Sequence, residues 1–374
     1  MAFRQLLPRH PGRTVVRPAN RHHLQGLQPA RRGSCGRIAQ RHLSGSGRGR
    51  GNAPVSRHPS VEDGARARAA TQCPAKVNLF LRVLAREDTG YHQIETLFQA
   101  IGLYDRVEAQ AGAPGIALHV VAGETAPGLG DLVSELRERD DNTVMRAARA
   151  FFAATRIAPA VSLALTKSIP AGTGLGGAST DAAGTLVVLN TLHGRPLEPD
   201  QLIEIGGTIG ADVPFFCTGS PTALAWGRGD RLLSRPPPRA ATLAIVVPRD
   251  RISTADAYRE VARNLPLPAA PRRLRGLADG TWEGIAALQA NDFEPGAFAR
   301  FPVLAEARTL LEGEGALVAR MTGSGSAIFG VFTDPGRARH AARQAETIPG
   351  VAASLTAPTL EAMPRAERAT ARGM

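Results

Sequence analysis

The sequence predicts an α+β protein of two domains, and three observations lead to this prediction. In the stretch 73–84, apolar residues such as Val77, Leu79 and Leu81 alternate with other residues, which is typical of a β-strand. Later segments place apolar residues at helical spacing between further stretches of strand character. With 374 residues, the chain is long enough for two cores of ordinary size.

The first half of the chain is predicted to be rich in strands. A turn at Asp88–Gly90 leads to a second strand-like stretch, and further strands are expected at 105–110, 115–123 and 160–170. Asp141 and Asn142 form a helix start signal. Pro170 ends the strand expected at 160–170. Helices are expected at 139–155, at 179–192 and from 199 onward.

The second half begins after the proline-rich break that opens "RPPPRAATLAIVVP" at 235–248. We therefore expect an N-terminal domain at 71–238 and a C-terminal domain at 239–365. Within the second domain, the pattern predicts a strand pair around 316–332 and helices near 254–264, 281–290, 301–312 and 335–346.

The net charge of +12 comes entirely from the start of the chain. Residues 1–61 contain 12 arginines and no acidic residue, whereas the remaining residues balance 33 basic against 33 acidic side chains. Residues 1–70 lack apolar periodicity and are predicted to be disordered. Three explanations stay open: a basic arm that binds RNA or anionic surfaces, an organelle transit peptide, or upstream sequence from a misassigned start codon.

Composition narrows the class of protein further. No apolar run approaches the roughly 18–20 residues that span a bilayer, and three scattered cysteines suit neither a disulfide framework nor a metal site. We expect a soluble, cytoplasmic protein, monomeric or homodimeric, that binds neither membrane nor nucleic acid. Lys76 and Lys167 are the only lysines among 45 basic residues, which marks them as positions that need a compact ammonium.

The segment "KSIPAGTGLGGASTD" at 167–181 predicts a phosphate site. A strand, a glycine-rich loop and a helix start bring backbone N–H groups and the positive end of a helix dipole to one point. Gly172, Gly174 and Gly177 match a dinucleotide fingerprint in spacing, but Pro170 separates them from the strand. The fingerprint also needs an acidic residue at the end of the next strand, about 20 positions on, and none is found there. A P-loop is excluded because Ala178 stands where its lysine belongs.

"PAGTGLGGAS" resembles the ATP-binding motif of the GHMP kinases, and "PAKVNLFL" and "MTGSGSAIFG" are similar to the family's first and third motifs. "GYHQIETLFQ", "DDNTVMRAA" and "GADVPFF" are most similar to the branch that acts on cytidine diphosphate methylerythritol, a small molecule. The resemblance spans 71–335 and implies phosphoryl transfer from ATP, with Mg²⁺, to a substrate hydroxyl. It also implies an N-terminal domain like the second domain of ribosomal protein S5, followed by a ferredoxin-like C-terminal domain.

The resemblance implies catalytic roles for Lys76 and Asp212. Asp212, within the apolar "GADVPFF" turn, is expected to accept the proton of the substrate hydroxyl, and Lys76 to orient that carboxylate. From the residues alone, Asp212 also suits a turn cap, and Lys76 suits an ordinary surface position.

The other expected contacts surround the two substrates. Asn78, Tyr91, His92 and Thr254 correspond to substrate positions, with Tyr91 available to stack on cytosine. Gly323 and Gly325 allow close backbone approach. Asn142 equally suits a helix N-cap, and the magnesium ligand stays open among Ser179, Thr180 and Asp181. The positions expected around ATP are Pro170, Ala171, Gly172, Thr173, Gly174, Leu175, Gly176, Gly177, Ala178, Ser179, Thr180, Asn142 and Lys167.

Alternative functions stay open at this point. Another GHMP kinase, acting on mevalonate or homoserine, is disfavoured by "GYH" and "GADVP". A nucleic-acid-binding module, suggested by the basic start of the chain, is disfavoured by the balanced charge of 62–374. A non-catalytic relative is expected to have lost Lys76 or Asp212, and this chain has both.

Overall fold

A seven-stranded sheet forms the first part of the fold in the computed structural model, which describes residues 67–123, 142–264, 280–288 and 291–369. The order β1-β2-β4-β3 is antiparallel except for the parallel pair β3–β4, and β5 pairs with β2 and β6. Six of the strands are β1 (Arg68–Arg86), β2 (His92–Ala111), β3 (Gly115–Ala122), β4 (Ala160–Lys167), β5 (Thr222–Gly227) and β6 (Arg231–Ser234).

Four helices contribute to the core that covers one face of this sheet. They are α1 (Thr143–Thr155), α2 (Gly177–Leu192), α3 (Pro199–Ile209) and α4 (Val213–Cys217). Phe98 and Leu163 of the sheet pack in one core with Phe151, Leu186 and Phe215 of the helices. This packing fixes the N-terminus of α2 beside the middle of β1.

A four-stranded antiparallel sheet forms the second part, with the strand order β10-β7-β9-β8. The β-α-β-β-α-β connection with this order is the ferredoxin-like arrangement. Its strands are β7 (Thr242–Pro248), β8 (Val318–Met321), β9 (Ile328–Phe332) and β10 (Val351–Pro358). The helices are α5 (Thr254–Asn264), α6 (Trp282–Ala286), α7 (Glu294–Arg300), α8 (Pro302–Gly313) and α9 (Pro335–Ala345). Strand β11 (Glu367–Ala369) then pairs with β1.

The two faces of β7 bury alternate residues in different cores, as the period of a strand requires. Ala244 and Val246 pack with the residues of helices α8 and α9. Leu243 and Ile245 pack in a core that also contains Val77 of β1. Strand β1 is therefore buried on both faces, although its alternating pattern suggested one polar face.

The predicted α+β class is confirmed, and most predicted elements lie within a few residues of the observed ones. Strand β1 begins at Arg68, inside the segment 1–70 that was expected to be disordered, and residues 1–66 lie outside the described residues. The two strands expected after Asp88–Gly90 are the single strand β2. The start of the helix expected at 139–155 and the end of that at 281–290 also lie outside the described residues. The domain limits stay a prediction.

Six elements were not predicted, namely the two strands of the β5–β6 hairpin, α4, α7, β10 and β11; at α4 a turn was expected. The β10 sequence "VAASLTAP" has no run of large apolar side chains, because it lies at a sheet edge. Among the described residues, no helix is long and apolar enough to cross a membrane.

Candidate active site

A cavity of about 1180 Å³ lies where the glycine loop, the turn between β1 and β2, and helix α5 meet. Predicted site residues that line it are Lys76, Asn78, Tyr91, His92, Gly174, Gly176, Ser179, Asp212, Thr254 and Gly323. The structure thus brings residues of the first sheet, of helix α5 and of several loops, from five separate sequence motifs, to one space.

The glycine loop, 170–176, ends where helix α2 begins at Gly177. The first helical hydrogen bond is donated by Thr180 N to Gly176 O, at 2.9 Å. The N–H groups before it have no acceptor within the helix, as at any helix start. Because Ser179 and the glycines of this end line the cavity, the helix start offers backbone donors and a positive dipole end to an anion there.

Gly174 allows the glycine loop to contact the loop that follows β8. Its φ is +81°, and a Cβ built on it would lie 2.9 Å from the carbonyl carbon of Thr322 and closer still to the oxygen. The contact is held by Thr322 Oγ1, which donates to Gly174 O at 3.1 Å, and by Ala327 N, which donates to Thr173 O at 3.0 Å. Any side chain at Gly174 would separate the two loops.

Substituting alanine for Gly174 is expected to lower kcat/KM for ATP by about 100-fold, since a displacement of roughly 1 Å has that effect in positioned sites. Steady-state kinetics with ATP as the varied substrate measure the loss. Gly172→Ala is the matched control, because Gly172 is also left-handed, with φ of +69°, but its Cβ would meet only Arg251 Cδ at 3.6 Å. Equal losses in both variants would contradict the close-contact explanation.

The ammonium of Lys76 is buried and has three oxygen partners. It donates to Asn78 Oδ1 at 2.7 Å and to Gly174 O at 2.9 Å, and it lies 3.3 Å from Asp212 Oδ2. Three partners match the three donors of an ammonium. Lys76 therefore links the glycine loop to the Asp212 carboxylate, and the surface position considered from the sequence is not observed.

Asp212 precedes α4, and its side chain faces the cavity. The carboxylate makes no capping hydrogen bond to the helix, so the alternative of a cap is not observed. Its side chain is 29% exposed, whereas the lysine beside it is 3% exposed. The carboxylate is accordingly open to a substrate on one side and fixed by the ammonium on the other.

Asn78 lines the cavity and connects Lys76 of β1 to the loop after β8 through hydrogen bonds. Its Oδ1 accepts from Lys76 Nζ and from Gly323 N at 2.8 Å, its Nδ2 donates to Thr96 Oγ1, and its backbone N donates to Thr322 Oγ1 at 3.2 Å. Every polar atom of the side chain therefore has a protein partner. The geometry supports a role in holding the loops together, while the expected substrate contact of Asn78 stays a prediction.

The rings expected to bind the second substrate also line the cavity. Tyr91 is 60% exposed, and His92 stacks on Tyr258 with ring centroids 4.8 Å apart. His92 Nε2 is buried with no hydrogen-bond partner among the described residues. Burial lowers the pKa of His92, and burial together with the charge of Asp212 raises the pKa of Tyr258 to about 12. Both rings are therefore neutral near pH 7. Thr254 Oγ1 lies 3.0 Å from Ser324 Oγ at the same wall.

Lys167 is located differently from the expectation that its ammonium contacts the nucleotide. It is 2% exposed and forms buried ion pairs with Asp105 and with Asp181, the latter at 2.7 Å. Asp105 also accepts from the backbone N–H groups of Ser168 and Ile169, at 2.6 and 2.8 Å. The cluster of Lys167, Asp105 and Asp181 thus anchors the chain on both sides of the glycine loop. The ammonium of Lys167 is bound to these two carboxylates, and its place among the residues around ATP stays a prediction.

The same cluster explains how Asp181 is tolerated next to a phosphate site. Its side chain points into the protein and is buried, so it does not face the cavity. Burial raises the pKa of Asp181 well above its usual range, and the attraction of Lys167 opposes this rise.

Two further residues expected around ATP, Asn142 and Thr180, lie at the starts of helices α1 and α2. Asn142 is the N-cap of α1, where its side chain accepts from Val144 N at 2.9 Å. Thr180 is buried, so Ser179 is the candidate magnesium ligand whose side chain lines the cavity. Among the described residues, no group of three or more His, Cys, Asp or Glu is placed to hold a metal ion.

Several functional residues were not found from the sequence. Thr322 contacts both the glycine loop and Asn78, Tyr258 stacks on His92, and Arg228 lies over the ring of Tyr91. Tyr258 carries a usable signal, since it follows Thr254 by one helical turn in "TADAY" and faces the same side. Arg228 carries none, because arginine is common throughout this chain.

A glycine-rich helix start beside a lysine–aspartate pair, built on these two sheets, defines a GHMP-type small-molecule kinase. The family model "GHMP kinases N terminal domain" matches residues 142–220, and "GHMP kinases C terminal" matches 274–349. GHMP kinases use ATP as the phosphate donor, generally with Mg²⁺. A crystal structure of homoserine kinase from Cytophaga hutchinsonii, at 18% identity and a TM-score of 0.60, covers 84% of this chain and all of its own, and shows the shared fold.

Closer relatives identify the branch of the family. The 4-diphosphocytidyl-2-C-methyl-D-erythritol kinase of Solibacter usitatus is 38% identical over 265 residues, 70% of this chain and 80% of the relative. That of Pelotomaculum thermopropionicum is 38% identical over 271 residues, 72% of this chain and 90% of the relative. A crystal structure of 4-(cytidine 5'-diphospho)-2C-methyl-D-erythritol kinase, 32% identical, has a TM-score of 0.62 and covers 78% of this chain and 98% of its own. This chain belongs to the 4-diphosphocytidyl-2-C-methyl-D-erythritol kinase family.

Proposed function

We propose that this protein transfers the γ-phosphoryl group of ATP to the 2-hydroxyl of 4-diphosphocytidyl-2-C-methyl-D-erythritol, giving the 2-phosphate and ADP. This is a step of the non-mevalonate route to isoprenoid precursors. The main structural support is the Lys76–Asp212 pair, whose side chains lie 3.3 Å apart beside the glycine loop in a cavity that Tyr91 and His92 also line. The relatives of this family support the choice of substrate.

Asp212 is proposed as the proton acceptor. As the 2-hydroxyl oxygen bonds to the γ-phosphorus and the bond from that phosphorus to ADP breaks, the hydroxyl proton passes to the Asp212 carboxylate. Lys76 holds this carboxylate in place and offsets negative charge on the attacking oxygen. Because Lys76 is already bound to Asn78 and Gly174, it needs no rearrangement before the reaction.

The glycine loop is proposed to bind the phosphates through backbone N–H groups at the start of α2. When bound with ATP, Mg²⁺ neutralises phosphate charge during transfer. Ser179 is the protein residue that would help hold the ion, with phosphate oxygens and water as its other ligands.

Positive charge around the cavity supports a substrate with a diphosphate. The cationic residues that line it are Lys76, Arg86, Arg146, Arg228, Arg259 and Arg263, against the acidic Asp212 and Asp230. Such an excess attracts polyanionic substrates and raises their local concentration. ATP and the cytidine diphosphate substrate are both polyanions of this kind, whereas mevalonate and homoserine carry no phosphate. A cytoplasmic location and a monomeric or dimeric state stay part of the proposal.

A coupled assay of ADP release tests the proposed substrate. We expect turnover with 4-diphosphocytidyl-2-C-methyl-D-erythritol and at least about 100-fold lower kcat/KM with mevalonate or homoserine. The smaller substrates would leave unpaired the polar groups of the site that bind the cytidine diphosphate. A chain shortened by residues 1–61 is expected to keep the activity, because the cavity residues lie within 76–324. No turnover of the cytidine diphosphate substrate, or equal turnover of mevalonate, would refute the proposal.

A further inference from the structure

Arg228 lines the cavity beside Tyr91, in the tight turn between β5 and β6. Its guanidinium carbon lies 4.2 Å from the centroid of the Tyr91 ring, within the roughly 6 Å of a cation–π contact. Tyr91 has the highest exposure among the large hydrophobic side chains, at 60%. The guanidinium therefore covers one face of a ring whose surface is otherwise mostly open to the cavity.

The guanidinium is itself fixed by the turn that precedes β2. Its Nε donates to the two carboxylate oxygens of Glu87 at 3.4 and 3.1 Å, and a terminal nitrogen donates to Thr89 Oγ1 at 3.3 Å. Glu87 N donates to Tyr91 O at 2.7 Å, which closes the turn. The hydrogen bonds from Arg228 lower the pKa of Glu87, so this pair is ionised at neutral pH. One turn thus holds the edge of the guanidinium, and the tyrosine ring lies against its face.

The sheet brings the two turns together. Pairing of β2 with β5 places Ile94 opposite Gly227, so the residues before Ile94 meet the residues after Gly227. The β5–β6 turn is held by Arg228 N, which donates to Asp230 Oδ1 at 3.1 Å, and by Gly229 N, which donates to Trp226 O at 3.2 Å. Arg228 therefore projects from a fixed support.

We propose that Arg228 is a positioning residue that holds the Tyr91 ring as a ready platform for the flat base of the nucleotide-linked substrate. An exposed tyrosine without this contact would lose side-chain freedom on binding, which weakens affinity. With the guanidinium on one face, the ring is ordered beforehand and the opposite face is left for the base. The inference rests on the proposed function, because it needs an aromatic base in the substrate.

Removing the guanidinium tests this role. Arg228→Ala is expected to raise KM for the cytidine diphosphate substrate about fivefold to tenfold, and to leave kcat and KM for ATP within about twofold. Arg228→Lys is expected to fall between Arg228→Ala and the unaltered protein, since it keeps the charge but loses the planar fork. Arg231→Ala is the matched control, because Arg231 is an exposed arginine of the same hairpin that does not line the cavity. Its KM values are expected to be unchanged.

A double-substitution cycle separates an effect through Tyr91 from direct contact with the substrate. In a Tyr91→Leu background, adding Arg228→Ala is expected to change KM by less than about twofold, since the two residues act as one unit. A further fivefold rise in that background would show that Arg228 binds the substrate itself and would overturn the proposal. An equal rise in KM for ATP would overturn it too, because it would indicate a general structural defect. Absence of turnover in the unaltered protein would instead refute the proposed function.

Discussion

Replacing Asp212 with asparagine is expected to lower kcat by about 1,000-fold, the middle of the range for loss of a general base. Asparagine keeps the shape of the side chain and its position beside Lys76, but it does not accept the hydroxyl proton. KM for both substrates is expected to stay within about threefold, because the amide keeps the shape of the side chain and the backbone N–H groups of the glycine loop are unchanged. Steady-state kinetics at saturating ATP measure the change.

Two comparisons make this result specific. Asp200→Asn removes an exposed carboxylate from the first turn of α3, away from the cavity, and is expected to leave kcat unchanged. Lys76→Ala is expected to lower kcat strongly too, and the double variant Lys76→Ala/Asp212→Asn should be little worse than either single one, because the two side chains act as a unit. A fall of less than about tenfold in Asp212→Asn would exclude Asp212 as the base.

Lys167→Met is expected to destabilise the protein by about 3–5 kcal/mol, the usual effect of removing one partner from a buried ion pair. Asp105 and Asp181 would then face each other without the ammonium, and both are buried. The loss is measured as the free energy of unfolding in urea. Because the cluster anchors both sides of the glycine loop, KM for ATP should rise in the fraction that folds.

Arg106→Met is the matched control for Lys167→Met. Arg106 follows Asp105 in β2, but its ion pair with Glu108 is about half exposed, so its loss should change stability by less than about 1 kcal/mol. Adding Asp105→Asn and Asp181→Asn to Lys167→Met should recover part of the stability, since no buried charge is then left unpaired. Similar stability of the Lys167 and Arg106 variants would contradict the role assigned to the cluster.

The parts of the site that lie in short motifs were predictable from the sequence. The glycine loop was located from its own residues, because a strand, glycines and a helix start are local features. Lys76 and Asp212 were found through the family resemblance, and the structure brings them to 3.3 Å of each other. Their roles in the reaction stay predictions that the variants above test.

The parts that depend on distant partners were not predictable. The scarcity of lysine marked Lys167 as unusual, but its partner Asp105 lies 62 positions away and only the fold brings the two together. Arg228 contacts Glu87 across 141 positions, so no local pattern reveals the contact. Strand β1 was expected to have one polar face, and its burial on both sides follows from packing against the second sheet.

The contacts of Asn78 determine when the site can form during folding. Asn78 Oδ1 accepts from Gly323 N across 245 positions. Thr322 Oγ1 donates to Gly174 O of the glycine loop across 148 positions. Contacts of such large sequence separation form late, because a long loop must close first. A growing chain that has not yet reached Thr322 has its lysine, its aspartate and its glycine loop, but not the contact that holds them together. Phosphoryl transfer by this protein therefore reports that two residues 245 positions apart in the chain have come together.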